Sequence, residues 1–445
     1  MESLVLGGHL MTDKNKLEER RLHGTWSHLT LDALVETAVR ARPARKSFAD
    51  APDMESWSDQ TPKLTNAGEF GALVQTFSRQ IMTLGLRQGD AVLVAMPNTV
   101  DGVVALVGLM TAGLVPCPIS VVASALEIQL AAEILGAKAI ITTNRYAHLS
   151  PSLTAREAAS KFYGVRFVCA FGQHPPEGVV SLEGWTADEL WQDALPANDP
   201  TDIALITLDT SGDVIVPHAR THAQLISDAL ALSAISGLTG RGAIIATFAP
   251  VSAAGFVSTI ASPLISGTSV SLHGPFDAGV LRQQLAATPE AIVVLPAVAE
   301  AAIRLGVGDA LKDAIVVTRD LEIIRPKHTH GRVTELVSLG EVALWSLLRD
   351  SSRAKQRLPR FYAHPVGTAL PRTMAQIEAT VSARGRLALS GFGVARERHL
   401  PAIAQPSDIF ETRWLAHGDG PEHFSAVAED TGVRGEDMLF AVAAA

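Results

Sequence analysis

The stretch that decides the fold runs from Ile203 to Leu225 and reads Ile-Ala-Leu-Ile-Thr-Leu-Asp-Thr-Ser-Gly-Asp-Val-Ile-Val-Pro-His-Ala-Arg-Thr-His-Ala-Gln-Leu. An apolar run before the Thr210-Ser211-Gly212 turn and a β-branched run after it predict two strands, and Pro217 is expected to end the second. A helix follows, because Thr221 and Gln224 stand at the spacing of a capping box and the next residues repeat apolar side chains at helical period.

The composition favours a folded, soluble α/β protein. The 445 residues are 47% hydrophobic and 19% charged, which is typical of one large domain or several subdomains. The formal net charge of −9 argues against a nucleic-acid surface. No apolar stretch has the length of a membrane span. Both cysteines, Cys117 and Cys169, lie in apolar runs, which predicts buried reduced thiols and a cytoplasmic location.

Strand-like and helix-like runs alternate on both sides of the central stretch. The predicted strands are 91–95, 115–119 and 138–142 before it, and 243–248, 268–272 and 291–295 after it. Helices between successive strands imply parallel sheets that are covered on both faces. We predict a tail at residues 1–25, a first α/β subdomain at 26–200, a second at 201–370, and a small β-rich subdomain with a C-terminal tail at 371–445.

The central stretch resembles the adenylate-forming enzymes of the acyl-CoA synthetase type, which are AMP-dependent ligases. These enzymes carry T-S-G-T-T-G-x-P-K-G-V and then x-H-T-H before a helix, and this chain keeps Thr210-Ser211-Gly212 and Arg220-Thr221-His222. Similar segments occur from Gly89 to Val92 and from Trp414 to Asp419. The resemblance covers about Leu64 to Asp419. It implies the family's large N-terminal domain: two α/β subdomains with mainly parallel sheets covered by helices, plus a small β-rich subdomain.

The phosphate loop of that family is altered here. The resemblance implies that Thr210, Ser211 and Gly212 are remnants of a loop whose N–H and hydroxyl groups hold ATP phosphates. Between Gly212 and Thr221 the chain is two residues short, it lacks the second Thr-Gly and the Lys, and Asp213 adds negative charge. We interpret the stretch as a collapsed phosphate loop. Taken alone, the turn is also explained by an ordinary β-hairpin.

The family's Y-G-x-T-E motif is altered as well. In the family the Tyr stacks on adenine and the final Glu helps to hold magnesium. Leu339 replaces the Tyr and can only pack, and Ala343 stands where the Glu is expected. Gly340 and Glu341 are therefore vestigial candidates for a nucleotide site. The alternative for Glu341 is a carboxylate in the first turn of a helix, where the helix dipole favours it.

The acid pocket of the family is lined from the helix after Gly255 and from the segment before Gly340. The family's His in the first of these segments is missing between Pro250 and Gly255, and for this segment we favour a buried strand-to-helix turn. The candidates for an acyl or carboxylate pocket are Ser252, Gly255, Phe256, Ser338 and Leu339.

The last similar segment ends in Asp419, which resembles the Asp that accepts hydrogen bonds from both ribose hydroxyls. A plain turn explains its Gly-Asp pair as well. Only residues 420–445 follow, so the resemblance implies that the family's mobile C-terminal domain, which supplies a Lys, is missing.

We interpret the chain as an acyl-CoA synthetase-like pseudoenzyme, with no intact catalytic residue and no metal site, that binds an acyl or aryl carboxylate or a partner protein. One alternative is an active carboxylate-adenylating ligase, with ATP or AMP and magnesium as cofactors, completed by a free-standing C-terminal domain. The other is a structural or regulatory subunit of an oligomer, a homo-oligomer included. Neither nucleic acid nor a membrane is expected as a partner.

Overall fold

The computed structural model describes residues 29–185, 189–211, 214–239, 242–319 and 331–349, and further on residues 378–381, 386–390, 395–397, 409–416 and 424–426. Cys117 and Cys169 are buried free thiols, as predicted. In this part of the chain, no helix combines the length and the apolar character needed to cross a membrane.

The first part of the chain forms a parallel sheet and the helices around it. Its elements are, in order, α1 (Leu31–Ala41), β1 (Lys46–Ala49), α2 (Met54–Trp57), β2 (Leu64–Asn66), α3 (Ala67–Met82), β3 (Ala91–Ala95), α4 (Val100–Thr111), β4 (Val115–Pro118), α5 (Ala125–Leu135), β5 (Ala139–Thr143), α6 (Pro151–Lys161), β6 (Phe167–Phe171) and β7 (Val180–Ser181). Strands β4, β3, β5, β6 and β7 lie side by side in this order and are all parallel. The predicted crossover pattern is confirmed.

A second and larger sheet follows. The next elements are β8 (Ile203–Ser211), β9 (Val214–Thr221), α7 (His222–Ser236), β10 (Ala243–Ala246), α8 (Ala253–Phe256), α9 (Ser262–Ser266), β11 (Ser269–Leu272), α10 (Ala278–Ala287), β12 (Ile292–Pro296), α11 (Glu300–Val307), β13 (Ala314–Thr318), β14 (Val333–Leu339) and β15 (Ala343–Leu348). The sheet has the order β15-β14-β13-β12-β10-β11-β1-β2. Strands β15 and β2 are antiparallel to their neighbours, and the other neighbours are parallel.

Two strands of the predicted first subdomain belong to this second sheet. Strand β1 pairs in parallel with β11, with Phe48 opposite Val270, and β2 pairs with β1. We predicted one subdomain over residues 26–200 and did not predict that two of its strands join the second sheet. The physical reason for this arrangement is that β11 would otherwise present an unpaired edge, which proteins cover.

The small β-rich part consists of β16 (Glu378–Val381), β17 (Arg386–Ser390), β18 (Arg396–Glu397), β19 (Ile409–Ala416) and β20 (Phe424–Ala426). Four of these strands form an antiparallel sheet in the order β16-β17-β19-β20. Strand β18 instead pairs with β9. The β-rich part therefore contacts the 203–225 stretch through this pairing.

Strands β8 and β9 form an antiparallel hairpin, which is paired up to Ser211 opposite Val214. Only residues 212 and 213 connect them. Strand β9 does not end at Pro217, as we expected, but continues to Thr221. Proline is tolerated near a sheet edge, and on its outer side β9 pairs with β18 only at His218 and Ala219.

Helix α4 lies inside the molecule, with all 12 of its residues buried. It is capped by Thr99, whose Oγ1 accepts a hydrogen bond from the Gly102 N–H at 3.1 Å. Gly108 lets α3 approach closely, because a Cβ atom there would lie 2.5 Å from Cδ1 of Phe77. Apart from Asp101 and Thr111 its residues are apolar or glycine, which is typical of a helix in a core position.

Helix α7 begins with the predicted capping box. The Thr221 Oγ1 accepts from the Gln224 N–H at 3.2 Å, and the Gln224 Oε1 accepts from the Thr221 N–H at 2.9 Å. One turn further on, Asp228 accepts a hydrogen bond from Nη1 of Arg220 at 3.0 Å, and both side chains are buried. Burial raises the pKa of Asp228 to about 7, and the guanidinium of Arg220 opposes this rise. This ion pair ties the hairpin to α7.

His222 joins the start of α7 to the start of α1. Its side chain is buried, and its Nδ1 accepts a hydrogen bond from the Leu31 N–H at 3.2 Å. Burial lowers the pKa of His222 to about 4, although the charges of Asp32, Asp202 and Asp199 oppose the shift. The ring is therefore neutral at pH 7, as an accepting Nδ1 requires.

We expect His222→Asn to be less stable than wild type at pH 7 and to approach the stability of wild type as the pH falls. The folded-state pKa lies below the unfolded value of 6.5, so the stability that depends on a neutral ring is complete above pH 6.5 and is lost as the pH falls towards 4. The upper limit of this effect is about 3 kcal/mol. The measurement is the melting temperature of wild type minus that of the variant between pH 7.5 and pH 4.5, with the exposed His148→Asn as control. A difference that does not change with pH contradicts the expectation.

Replacing one member of the Arg220–Asp228 pair should lower the free energy of unfolding more than replacing both. Asp228→Leu alone leaves a buried cation without its partner, which destabilises by about 3 to 5 kcal/mol. The double variant Arg220→Met with Asp228→Leu places apolar side chains of similar size in the same space and should recover most of that loss. Chemical denaturation of the two single variants and the double variant measures the coupling. Additive losses would show that the pair does not act as a unit.

Candidate functional site

Four parallel strands of the second sheet end at one edge, and the candidate residues gather there. Strands β10, β12, β13 and β14 run in the same direction, so their carboxyl ends meet, which is where α/β sheets commonly bind ligands. The turn from β14 to β15, the start of α8 and the end of β13 lie at this edge. The β8–β9 hairpin approaches the turn from the side.

The turn between β14 and β15 depends on Gly340. This residue has a φ of +57°, and a Cβ atom there would lie 2.6 Å from Oδ2 of Asp209 on β8. The left-handed backbone favours glycine here, and any larger residue would also displace the end of the Asp209 side chain. The turn is closed by the Val342 N–H, which donates to the Leu339 oxygen at 3.1 Å, and by the Ser338 hydroxyl, which donates to the Gly340 oxygen.

Glu341 is fully buried, and both of its carboxylate oxygens accept hydrogen bonds. Oε2 accepts from the Ala253 N–H at 2.8 Å, and Oε1 accepts from Nη2 of Arg319 at 2.6 Å. We considered Glu341 as a first-turn carboxylate of its own helix, and this was wrong, because the residue lies in a turn between two strands. Its carboxylate instead meets the first residue of α8, a helix distant in sequence.

The pocket candidates on α8 serve the start of this helix and its packing. Ser252 is the N-cap, and its Oγ accepts from the Gly255 N–H at 3.0 Å. A Cβ atom at Gly255 would lie 3.1 Å from the Pro250 Cα and 3.2 Å from Cε2 of Phe248, so the helix is packed tightly against the preceding turn. Phe256 is fully buried. This matches the buried strand-to-helix turn that we considered as the alternative.

The candidates on β14 are buried as well. Ser338 is 1% exposed and Leu339 is 3% exposed. Two cavities, of about 440 and 300 Å³, are lined by other residues. The first is an open groove beside β2 and α3, and the second lies near the starts of β12 and β13. The predicted pocket residues are thus brought close to one another but do not line either cavity.

Charged side chains of the hairpin lie next to the turn. Nη2 of Arg220 donates to the main-chain oxygen of Glu341 at 3.4 Å. Burial lowers the pKa of His218 to about 4; the charge of Asp209 opposes this shift, and those of Arg220 and Arg319 add to it. The two arginines near the turn are both paired with carboxylates, Arg220 with Asp228 and Arg319 with Glu341.

The remaining candidates belong to the loop of the hairpin and to the end of the chain. Thr210 and Ser211 are the last residues of β8 and are paired with β9. Gly212 and Asp419 lie outside the described residues. The structure thus brings Gly340 and Glu341 together with Ser252 and Ser338, while the nucleotide role of these residues stays a prediction.

Arg319 was missed from the sequence, together with β13 and the β14–β15 hairpin. The run Ala314–Thr318 is a continuous apolar strand followed directly by Arg319. A charged residue at the carboxyl end of a buried parallel strand is a signal that points to the ligand edge of a sheet. That signal was available, but the strand itself was not predicted.

Comparisons with protein families and with individual proteins show what this chain is similar to. The family described as AMP-binding enzyme matches residues 37–342. The salicyl-AMP ligase / salicyl-S-ArCP synthetase of Mycobacterium tuberculosis is 26% identical over 237 residues, which are 53% of this chain and 40% of that protein. The match therefore spans about two-fifths of the curated relative's length.

Solved structures show the same fold. The N-terminal domain of FACL13 from Mycobacterium tuberculosis superposes with a TM-score of 0.66 at 16% identity, over 89% of this chain and 99% of that one. The apo structure of MbtA from Mycobacterium smegmatis gives 0.66 at 18% identity, over 93% and 78%. Both confirm the predicted α/β architecture of an adenylate-forming N-terminal domain. Because the family match covers well over half of its length, the chain belongs to the AMP-binding enzymes, the adenylate-forming ligase family.

Proposed function

We propose that this chain is a catalytically impaired, acyl-CoA synthetase-like member of the family, which binds an acyl or aryl carboxylate or a partner protein without adenylating it. The observation that carries the proposal is the pairing of β8 with β9 up to Ser211 opposite Val214. We also propose a cytoplasmic location, which the two buried free thiols support.

A phosphate-binding loop needs several backbone N–H groups that point at the phosphates and are not used elsewhere. Here the strands are paired to their ends, so only residues 212 and 213 are left between them. One of these two is Asp213, a carboxylate that repels phosphate. Such a connection is too short to surround a triphosphate.

The described side chains do not fit the magnesium ion that the family uses. Both oxygens of Glu341 already accept hydrogen bonds, from Ala253 and Arg319, and Ala343 has no ligating atom. Within the described residues there is no group of three or more side chains suited to hold a metal ion. We therefore derive no reaction step through magnesium or ATP in this chain.

The expected loss of rate is large. Adenylation needs the leaving pyrophosphate to be held and the developing charge to be stabilised. Each lost electrostatic group costs about 3 kcal/mol of transition-state stabilisation, so two such losses slow the reaction about ten-thousand-fold. This is why the proposal treats the chain as a binding protein.

We expect the purified chain to bind Mg-ATP with a dissociation constant weaker than about 1 mM. The reason is that the strands of the hairpin are paired up to Ser211 opposite Val214, which leaves only residues 212 and 213 between them to approach the phosphates. Isothermal titration calorimetry measures this, with the salicyl-AMP ligase as a positive control under the same conditions. A micromolar dissociation constant would contradict the proposal.

The retained family scaffold favours one second candidate, an active ligase that a separately encoded C-terminal domain completes. The two candidates differ in carboxylate-dependent exchange between ATP and pyrophosphate. We expect no exchange above background for this chain, with or without a free-standing C-terminal domain, over a panel of acyl and aryl acids. Exchange that requires both the acid and the added domain would establish the second candidate, and reactions without the acid are the control.

A further inference from the structure

The carboxylate of Glu341 is held like a bound ligand. Its two oxygens accept from the main-chain N–H of Ala253 and from the guanidinium of Arg319, which come from different elements. Helical backbone continues from α8 through residues 257–261 into α9, so Ala253 opens a helical segment of several turns. A carboxylate between a helix N–H and a guanidinium is stabilised by both charge and hydrogen bonding.

The two members of the Arg319–Glu341 ion pair differ in exposure. The Glu341 side chain is 0% exposed, whereas that of Arg319 is 31% exposed. Arg319 therefore forms the boundary between the buried carboxylate and solvent.

The 339–342 turn is held in place by contacts that do not use the Glu341 side chain. The Ala395 N–H donates to the Val342 oxygen at 2.7 Å and the Val342 N–H donates to the Leu339 oxygen, while Arg220 donates to the Glu341 main-chain oxygen. The backbone of the turn should therefore keep its position when the carboxylate is removed, and the start of α8 keeps its own cap, in which the Ser252 Oγ accepts from the Gly255 N–H.

We propose that the Ala253 N–H and the Arg319 guanidinium form a carboxylate-binding site that Glu341 occupies as an internal ligand. The ligand class is a monocarboxylate, and an external acid and Glu341 exclude one another. This inference rests on the proposed function, because it concerns where this chain would bind a carboxylate that it does not adenylate. Glu341 thus competes with an external acid for the two donors.

Chemical rescue tests the site. Glu341→Ala removes the Cγ methylene and the carboxylate, which together have the size of acetate. At pH 7 the variant should melt below wild type, and about 100 mM sodium acetate should restore at least half of the lost melting temperature by binding the two donors. Sodium chloride and acetamide at the same concentration should restore little, because they lack a carboxylate.

Two variants serve as matched controls. Glu341→Gln keeps the side-chain volume, leaves no space for acetate, and should not respond to it. Adding Arg319→Gln to Glu341→Ala removes the cation, and this double variant should lose the acetate response. Equal rescue of Glu341→Ala by acetate, chloride and acetamide would overturn the inference, as would an unchanged response in the double variant.

The inference can be tested even if Glu341→Ala folds poorly. If Glu341→Ala is insoluble, it is denatured and refolded in buffer with acetate or with chloride. A higher yield in acetate alone supports the site, and equal yields overturn it. Failure of the proposed function is separate: wild type would then bind Mg-ATP, whatever the rescue shows. Absence of rescue without ATP binding would overturn only the internal-ligand inference.

Discussion

A fully buried guanidinium constrains the centre of this protein. Arg220 is 0% exposed and bonds Asp228 on α7 and the main-chain oxygen of Glu341 in the β14–β15 turn. A buried cation without partners is highly unfavourable, so the hairpin, the helix and the turn have to stay together. The other features of the candidate site are arranged around this contact, including the approach of Asp209 to Gly340.

The charges at the ligand edge of the second sheet are neutralised from within. Glu341 faces Arg319 and a helix N–H, and Arg220 faces Asp228. Binding sites usually direct a few polar groups towards the ligand, whereas here these donors and acceptors are directed towards each other. The side chains that we propose as a carboxylate site therefore also stabilise the fold of this edge.

Much of the fold was predictable from the sequence, but the site was predictable only in part. The capping box of Thr221 and Gln224 and the alternation of strands and helices are local patterns, and both were found. The pairing of β1 with β11 joins segments that are far apart in the chain, and no local pattern encodes such a partner. Arg319 was missed for a different reason: the apolar strand Ala314–Thr318 before it was not predicted, so its place at the carboxyl end of a strand was overlooked.

The family and the succession of helices and strands could be predicted from the amino-acid sequence alone, because they follow from residue types and their order. The absence of the Lys and the metal-binding Glu of the family motifs stays a prediction of the same kind. The direction of the Glu341 side chain, by contrast, follows from the folded structure. Its carboxylate has the same chemistry in a helix, in a metal site or in a turn. Its role as a buried partner of Ala253 and Arg319 follows from strands and helices that meet only in the folded chain.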